Sequence, residues 1–231
     1  NHIHALAYAA HAAQIPCTGF IRGQWRDDNP TLADARRWSM ELIALDRARY
    51  REKHTPAFIA ELEARYPGAV IIPEGGSSAF AVRGAGELMQ QISAQSEVDY
   101  LLCACGTGGT LAGLISAAPD HLKLIGVPVL KGGDFLKTDI QALLHSAGAS
   151  GTASWSLDLN GHYGGYAKVK AEHIAHMQRI EQRHGLLLDP VYTAKLWRRF
   201  DELVEEGAFA PGSRIALLHS GGLQGRRGFG L

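Results

Sequence analysis

The segment VDYLLCACGTGGTLAGL, residues 98–114, constrains the fold more than any other stretch of the chain. An apolar run passes through the cluster Gly106-Thr107-Gly108-Gly109-Thr110 directly into a helix-forming sequence. Such a turn offers many backbone N–H groups and little side chain at the mouth of a helix. The first N–H groups of a helix have no intrahelical acceptor, and the helix dipole is positive there. The segment therefore predicts a strand, an anion cradle and a helix, in that order. Glycine adds positive φ and close backbone approach, while Thr107 and Thr110 add hydroxyls. A phosphate is the anion that suits this chemistry best. The bland alternative is a tight strand-to-helix turn that needs glycine for packing alone.

The same alternation runs along the rest of the chain. Helices are expected over residues 2–13, 31–43, 80–94, 110–118, 134–147, 168–184 and 193–206. Another begins at Pro56, with Thr55 as its cap and the proline in the first helical position. Thr31 is the expected cap of the 31–43 helix, with Asp34 in its first turn, where the dipole favours an acid. Strands are expected in CTGFIRG, AVIIPEGG, VDYLLCAC, LKLIGVPVL, SWSLDL and RIALLHSGG, and LIALDR reads as either a helix end or a strand start. Strand and helix alternating in this way imply parallel strands covered on both faces, with ligands held at their carboxyl ends. Two further glycine turns, PEGGSS at 73–78 and HSGGLQG at 219–225, follow predicted strands.

Several functional classes fall away. Lys plus Arg and Asp plus Glu both number 23, so there is no basic excess to serve a nucleic acid or a membrane surface. A nucleotide P-loop needs Gly-Lys-Ser/Thr, and Gly109-Thr110-Leu111 stands in its place. The dinucleotide fingerprint needs a glycine where Leu111 stands. Cys17, Cys103 and Cys105 are too few and too oddly spaced for a disulfide framework or a zinc site, and read as buried thiols of a reducing compartment. His173 and His176, three apart on one predicted helix, read as a solvated face rather than a metal pair. No apolar run approaches the roughly 20 residues of a membrane span. The chain reads as cytoplasmic, with no metal.

Four motifs taken together carry a resemblance. GTGGTLAGL, IIPEGGSSAFAVRG, GLLLDPVYTAK and LLHSGGLQG occur in the order found in the 1-aminocyclopropane-1-carboxylate deaminase and D-cysteine desulfhydrase family, and the likeness runs from Asn1 to about Phe229. The resemblance implies a pyridoxal 5′-phosphate enzyme of fold type II, the tryptophan-synthase β-like fold. Two three-layer α/β/α domains with parallel sheets are then expected, a small one over 1–75 and a large cofactor-binding one over 76–231. The resemblance gives the cofactor phosphate to Gly106, Thr107, Gly108, Gly109 and Thr110. It gives the 3′-hydroxyl of the pyridine ring to Asn1, and the neighbourhood of the ring nitrogen to Ser220, with Gly221 and Gly222 completing that turn. Tyr192 and Tyr166 match two family tyrosines near the substrate, and Cys105 reads as a tolerated small residue.

The chain also departs from the pattern. The family's Schiff-base lysine lies upstream of the Ser-Asn-His segment whose end Asn1 and His2 match, and Lys53, Lys123, Lys131, Lys137, Lys168, Lys170 and Lys195 match no such position. An upstream segment carrying that lysine is expected, along with a central strand of the small domain and part of the large one. The residue after the Val-Tyr pair is Thr193, where the deaminases have Glu near the ring nitrogen. A glutamate would keep that nitrogen protonated, and threonine makes a milder electron sink, which suits loss of a good leaving group. The expected reaction is therefore β-elimination from D-cysteine to sulfide, pyruvate and ammonia, by a homodimer acting on a small amino acid. Ring opening of 1-aminocyclopropane-1-carboxylate to 2-oxobutanoate and ammonia is the alternative. A non-catalytic relative that keeps the phosphate cradle is the alternative of another class. The segment from Asp27 to Lys53 carries no matched motif.

Overall fold

The computed structural model describes residues 1–25 and 29–231, so Arg26, Asp27 and Asp28 lie outside the described residues. Two compact units are present, Asn1–Ile72 together with Arg227–Leu231, and Pro73–Arg226. The last five residues thus group with the N-terminal unit, where the sequence reading put all of 76–231 in one domain.

In the first unit, α1 (His2–Ala12), β1 (Thr18–Arg22), α2 (Pro30–Arg37), β2 (Glu41–Leu45), α3 (Arg47–Arg51) and α4 (Pro56–Arg65) follow one another. β1 and β2 pair in parallel, from Thr18 opposite Glu41 to Arg22 opposite Leu45. Their two faces are covered differently. Gly19 faces Ile3 of α1 and Met40, while Phe20 packs edge-on against Phe58 of α4. The segment LIALDR resolves as strand, because the helix expected over 31–43 stops at Arg37 and the chain reverses through Ser39 at φ 64. The cap is not Thr31 but Asn29, whose side chain accepts from Leu32 N at 3.1 Å, with Pro30 first in the helix. Asp34 is accordingly not in the first turn. Thr55 caps α4 as expected, accepting from Phe58 N at 3.3 Å.

The second unit comprises α5 (Ala79–Gln95), β3 (Tyr100–Cys105), α6 (Gly109–Ala117), β4 (Lys123–Pro128), α7 (Leu136–Ser146), β5 (Trp155–Leu157), α8 (Ala171–His184), α9 (Thr193–Glu205) and β6 (Ile215–Leu217). The sheet order is β5-β4-β3-β6, with all three pairings parallel. Alternation along β3 divides the core. Leu101, Cys103 and Cys105 join Leu111, Leu114 and Ile140 on the face covered by α5, α6 and α7. Leu102 and Val127 meet Leu196 and Leu203 of α9 on the other. This is a three-layer α/β/α fold with a parallel sheet. AVIIPEGG forms no ladder among the described residues: Val70 is 79% exposed and the stretch ends in a short 3-10 turn at Glu74–Gly76. An apolar run makes a strand only beside another strand that can take its hydrogen bonds.

Candidate active site

The loops after β3, β4, β5 and β6 all leave the carboxyl edge of the sheet, where an α/β fold holds its ligands. The loop after β3 is the glycine cluster. Gly108 has φ 81 and caps α6, so the N–H groups of Gly109, Thr110 and Leu111 open the helix with no intrahelical acceptor. A side chain on Gly108 would meet Ile140 Cγ1 at 2.7 Å, and one on Gly109 would meet Ser77 Oγ at 2.9 Å. Thr110 is exposed and Thr107 half-buried.

The PEGGSS turn packs onto this cluster. Gly75, at φ 72, lies so close to Thr107 that a Cβ would collide with its hydroxyl, and the Ser77 hydroxyl donates to Thr107 Oγ1 at 2.7 Å. Ser77 fixes the rotamer of the cluster's half-buried hydroxyl, a role no local sequence signal marks.

Tyr192 closes the other side. A Cβ on Gly106 would stand 3.3 Å from both Cε1 and Oη of Tyr192, so the ring lies against the turn with little room to spare. The Tyr192 hydroxyl donates to Tyr166 Oη at 3.4 Å, with the rings edge to face and centroids 6.0 Å apart. Burial, reinforced by Tyr166, pushes the Tyr192 phenol far above its ordinary pKa. Tyr192 therefore keeps its proton, and its hydroxyl is a hydrogen-bond donor. Tyr166 is 56% exposed and points its ring at open solvent on one side.

The backbone before Tyr192 is held at nearly every residue. His219 Nε2 donates to Leu187 O at 2.7 Å. Glu181 accepts from Leu188 N at 2.8 Å, and Arg226, ion-paired with Glu181, donates to Leu188 O at 2.6 Å. His173 Nε2 donates to Pro190 O at 2.9 Å, since a carbonyl can only accept. Asp189 then accepts from the N–H groups of Val191, Tyr192 and Thr193 at 2.9, 3.0 and 2.8 Å. The Thr193 hydroxyl closes the ring, accepting from Asp189 N at 2.8 Å and donating to Asp189 Oδ1 at 2.9 Å. His173 is thus buried, correcting the solvated face read from its spacing; burial lowers its pKa and keeps it neutral. His176 Nε2 lies 3.3 Å from Asp201 Oδ2, and burial lowers the imidazole pKa.

Ser220 is exposed beside Gly221 and Gly222, both left-handed at φ 87 and 84, and His219 Nδ1 accepts from Gly221 N at 3.2 Å. Asn1 belongs to the first unit, where its carbonyl accepts from Ala5 N at 3.0 Å to begin α1. Cys105 is buried in β3, as a small core residue.

A parallel sheet covered on both faces, with a glycine-rich turn opening a helix on its carboxyl edge, is the architecture of α/β proteins that hold phosphate-bearing ligands. The match is more particular than that. A family model described as pyridoxal-phosphate dependent enzyme covers residues 1–221, and the chain belongs to that family. It has the fold type II architecture, and the cofactor is pyridoxal 5′-phosphate. A Pyrococcus horikoshii protein provisionally named 1-aminocyclopropane-1-carboxylate deaminase is 29% identical over 187 residues, 77% of this chain and 57% of that protein. D-cysteine desulfhydrase of Klebsiella pneumoniae is 30% identical over 172 residues, 70% of this chain and 52% of that protein. The chain spans just over half the length of these two relatives. The crystal structure of an ACC deaminase homologue matches with TM-score 0.84 and 25% identity, covering 100% of this chain and 73% of that one.

The cradle fits the cofactor's phosphate. It combines the open N–H groups of α6 and the hydroxyls of Thr107 and Thr110 with glycines whose side chains would fill the space. Among the described residues no helix is long and apolar enough to cross a membrane.

Proposed function

We infer that the full-length protein is a pyridoxal-phosphate lyase acting on a small amino acid, and that D-cysteine is its substrate, released as sulfide, pyruvate and ammonia. The observation that carries this reading is Tyr192, set against Gly106 of the glycine turn and hydrogen-bonded to Tyr166. When bound, the cofactor supplies an electron sink for a carbanion at the substrate Cα. Gly106, Thr107, Gly108, Gly109 and Thr110 would hold its phosphate, and the Ser220 hydroxyl would serve the ring nitrogen. Tyr192, kept protonated, donates a hydrogen bond to the substrate or its leaving group and does not abstract a proton. Tyr166 orients the substrate from the solvent side.

Elimination is favoured over cyclopropane opening by Thr193. No carboxylate occupies its position, and its hydroxyl is spent on Asp189. With the Ser220 hydroxyl and no carboxylate near its nitrogen, the ring would be a milder sink, sufficient when sulfide departs. The names of the relatives include both activities, which keeps the two reactions as the pair to separate. The reading includes a homodimer in the cytoplasm, with Cys103 and Cys105 the buried thiols of a reducing compartment.

The test is to load the full-length protein with the cofactor and supply each substrate alone. Sulfide from D-cysteine with little 2-oxobutanoate from 1-aminocyclopropane-1-carboxylate is the expected result. The reverse selectivity would give the deaminase reading instead. Cofactor binding with neither product would leave a non-catalytic relative.

A further inference from the structure

The loop between β5 and α8 holds an unusual backbone. Tyr163, Gly164, Gly165 and Ala167 have φ of 45, 97, 116 and 54, so Tyr166 is flanked by left-handed residues, two of them carrying side chains. A non-glycine residue there costs about 1–2 kcal/mol, and such strain persists only when the surroundings over-determine it. Something must hold this loop.

The second observation is Lys195, the third residue of α9. It is fully buried at 0% exposure. Its Nζ donates to His162 O at 2.8 Å and Gly165 O at 2.7 Å, and reaches Val129 O at 3.5 Å. All three acceptors are main-chain carbonyls on loops leaving the carboxyl edge of the sheet. A buried ammonium is costly unless fully hydrogen-bonded, and burial draws its pKa down to about 8. An apolar side chain would fill the same space at less cost. The return on the charge is geometric, since one of its two short bonds ends on the residue immediately before Tyr166. The turn before α9 fixes Tyr192, so a single helix start carries the anchors of both tyrosines.

We propose that Lys195 is a positioning residue that locks the strained Tyr163–Ala167 loop, and through Gly165 sets Tyr166 against Tyr192. This rests on the reading above that the two tyrosines face the substrate. Lys195 acts through the loop, because its Nζ is bonded to the main-chain carbonyls of His162 and Gly165.

The test uses the full-length, cofactor-loaded protein and its Lys195→Met variant, which keeps the length and volume and removes the donors. Amide hydrogen exchange over residues 163–168 should quicken by about tenfold or more, while the central amides of α6 keep their rate. With D-cysteine, kcat/KM should fall about tenfold or more, and the same substitution in a Tyr166→Phe background should add less than about threefold. Unchanged exchange at 163–168 overturns the proposal, as does a kinetic effect fully additive with Tyr166→Phe. Absence of turnover in the wild type would instead sink the substrate reading, and the exchange result would still decide on Lys195. Should Lys195→Met not fold, acetylation of wild-type Lys195 decides. Labelling that follows the opening rate of the 163–168 amides supports the lock, and labelling much slower than the opening of those amides refutes it.

Discussion

At the scale of single residues, the phosphate turn depends on one backbone angle. Gly108→Ala would set an L-residue at φ 81 with its Cβ 2.7 Å from Ile140. The left-handed penalty and the overpacking add to about 2–5 kcal/mol. A lowered Tm and weaker pyridoxal-phosphate binding in equilibrium dialysis are expected together, and an unchanged cofactor affinity would separate the turn from the phosphate. Asp189→Ala tests the other side. Three N–H groups and a hydroxyl lose their acceptor in a residue that is 2% exposed, and the expected loss is about 2–3 kcal/mol in urea unfolding. Turnover should fall more than stability alone explains, because Tyr192 is the residue set free. What could be read in advance follows from where the partners lie. The glycine cluster is legible because its donors are consecutive backbone groups. Ser77 and Lys195 were passed over because each meets its partner 30 residues away, Thr107 and Gly165 respectively. His173 looked solvated because its acceptor, Pro190, lies 17 residues further on. Asp189 could have been found, since an Asp-Pro pair four residues before a threonine at a helix start is a local capping pattern.

At the scale of elements, the close approach of α5 and α6 sets how the helix after the glycine turn sits on the sheet. Gly113 of α6 makes it possible. A Cβ there would collide with Ala85 Cβ and stand 2.8 Å from Val82 O, a backbone atom that cannot swing aside. Gly113→Ala gains at most about 1 kcal/mol of helix propensity, against about 1–3 kcal/mol for overpacking a tight contact. Net destabilisation is therefore expected in urea unfolding; a more stable variant would mean the two helices part freely. The element pattern itself was largely legible. β3 and β4 announce themselves as apolar runs ended by proline or glycine turns, and α5 to α9 appear within a few residues of their expected bounds. The errors lie in the first unit, where signals are short and competing. Asn29-Pro30 outranked Thr31 as a start, and Ser39 broke a helix whose composition alone would have let it run into β2. The apolar AVII stretch failed as a strand for lack of a neighbour, which no property of its own residues reveals.

At the scale of the whole chain, the first unit is closed by a contact between residues 193 positions apart. Arg227, in the C-terminal segment, pairs with Asp34 of α2, and His4 Nε2 of α1 meets the same carboxylate at 3.0 Å. The Asp34 carboxylate is 12% exposed. The Arg227 hydrogen bond, more than any other influence, holds the Asp34 carboxyl below the usual carboxylate range. Its folded pKa thus lies under its unfolded one. The unfolded chain then binds the proton more readily in acid, so stability rises with pH across that interval. The contribution is fully present above the unfolded value near 4 and fades as pH falls through the folded one. Asp34→Asn should cost about 1.5–3 kcal/mol at pH 6, as charge-assisted bonds to Arg227 and His4 become neutral ones. It should also flatten the acid limb, so wild type and variant converge below pH 4. Urea unfolding followed by tryptophan fluorescence checks both, with Trp38 a built-in reporter because its ring packs edge-on against His4 at 4.8 Å. A constant difference from pH 3 to 7 would mean that the carboxylate's charge does not clasp the C-terminal segment. Convergence would show that the far end of the chain is held to the first unit by one ionised group.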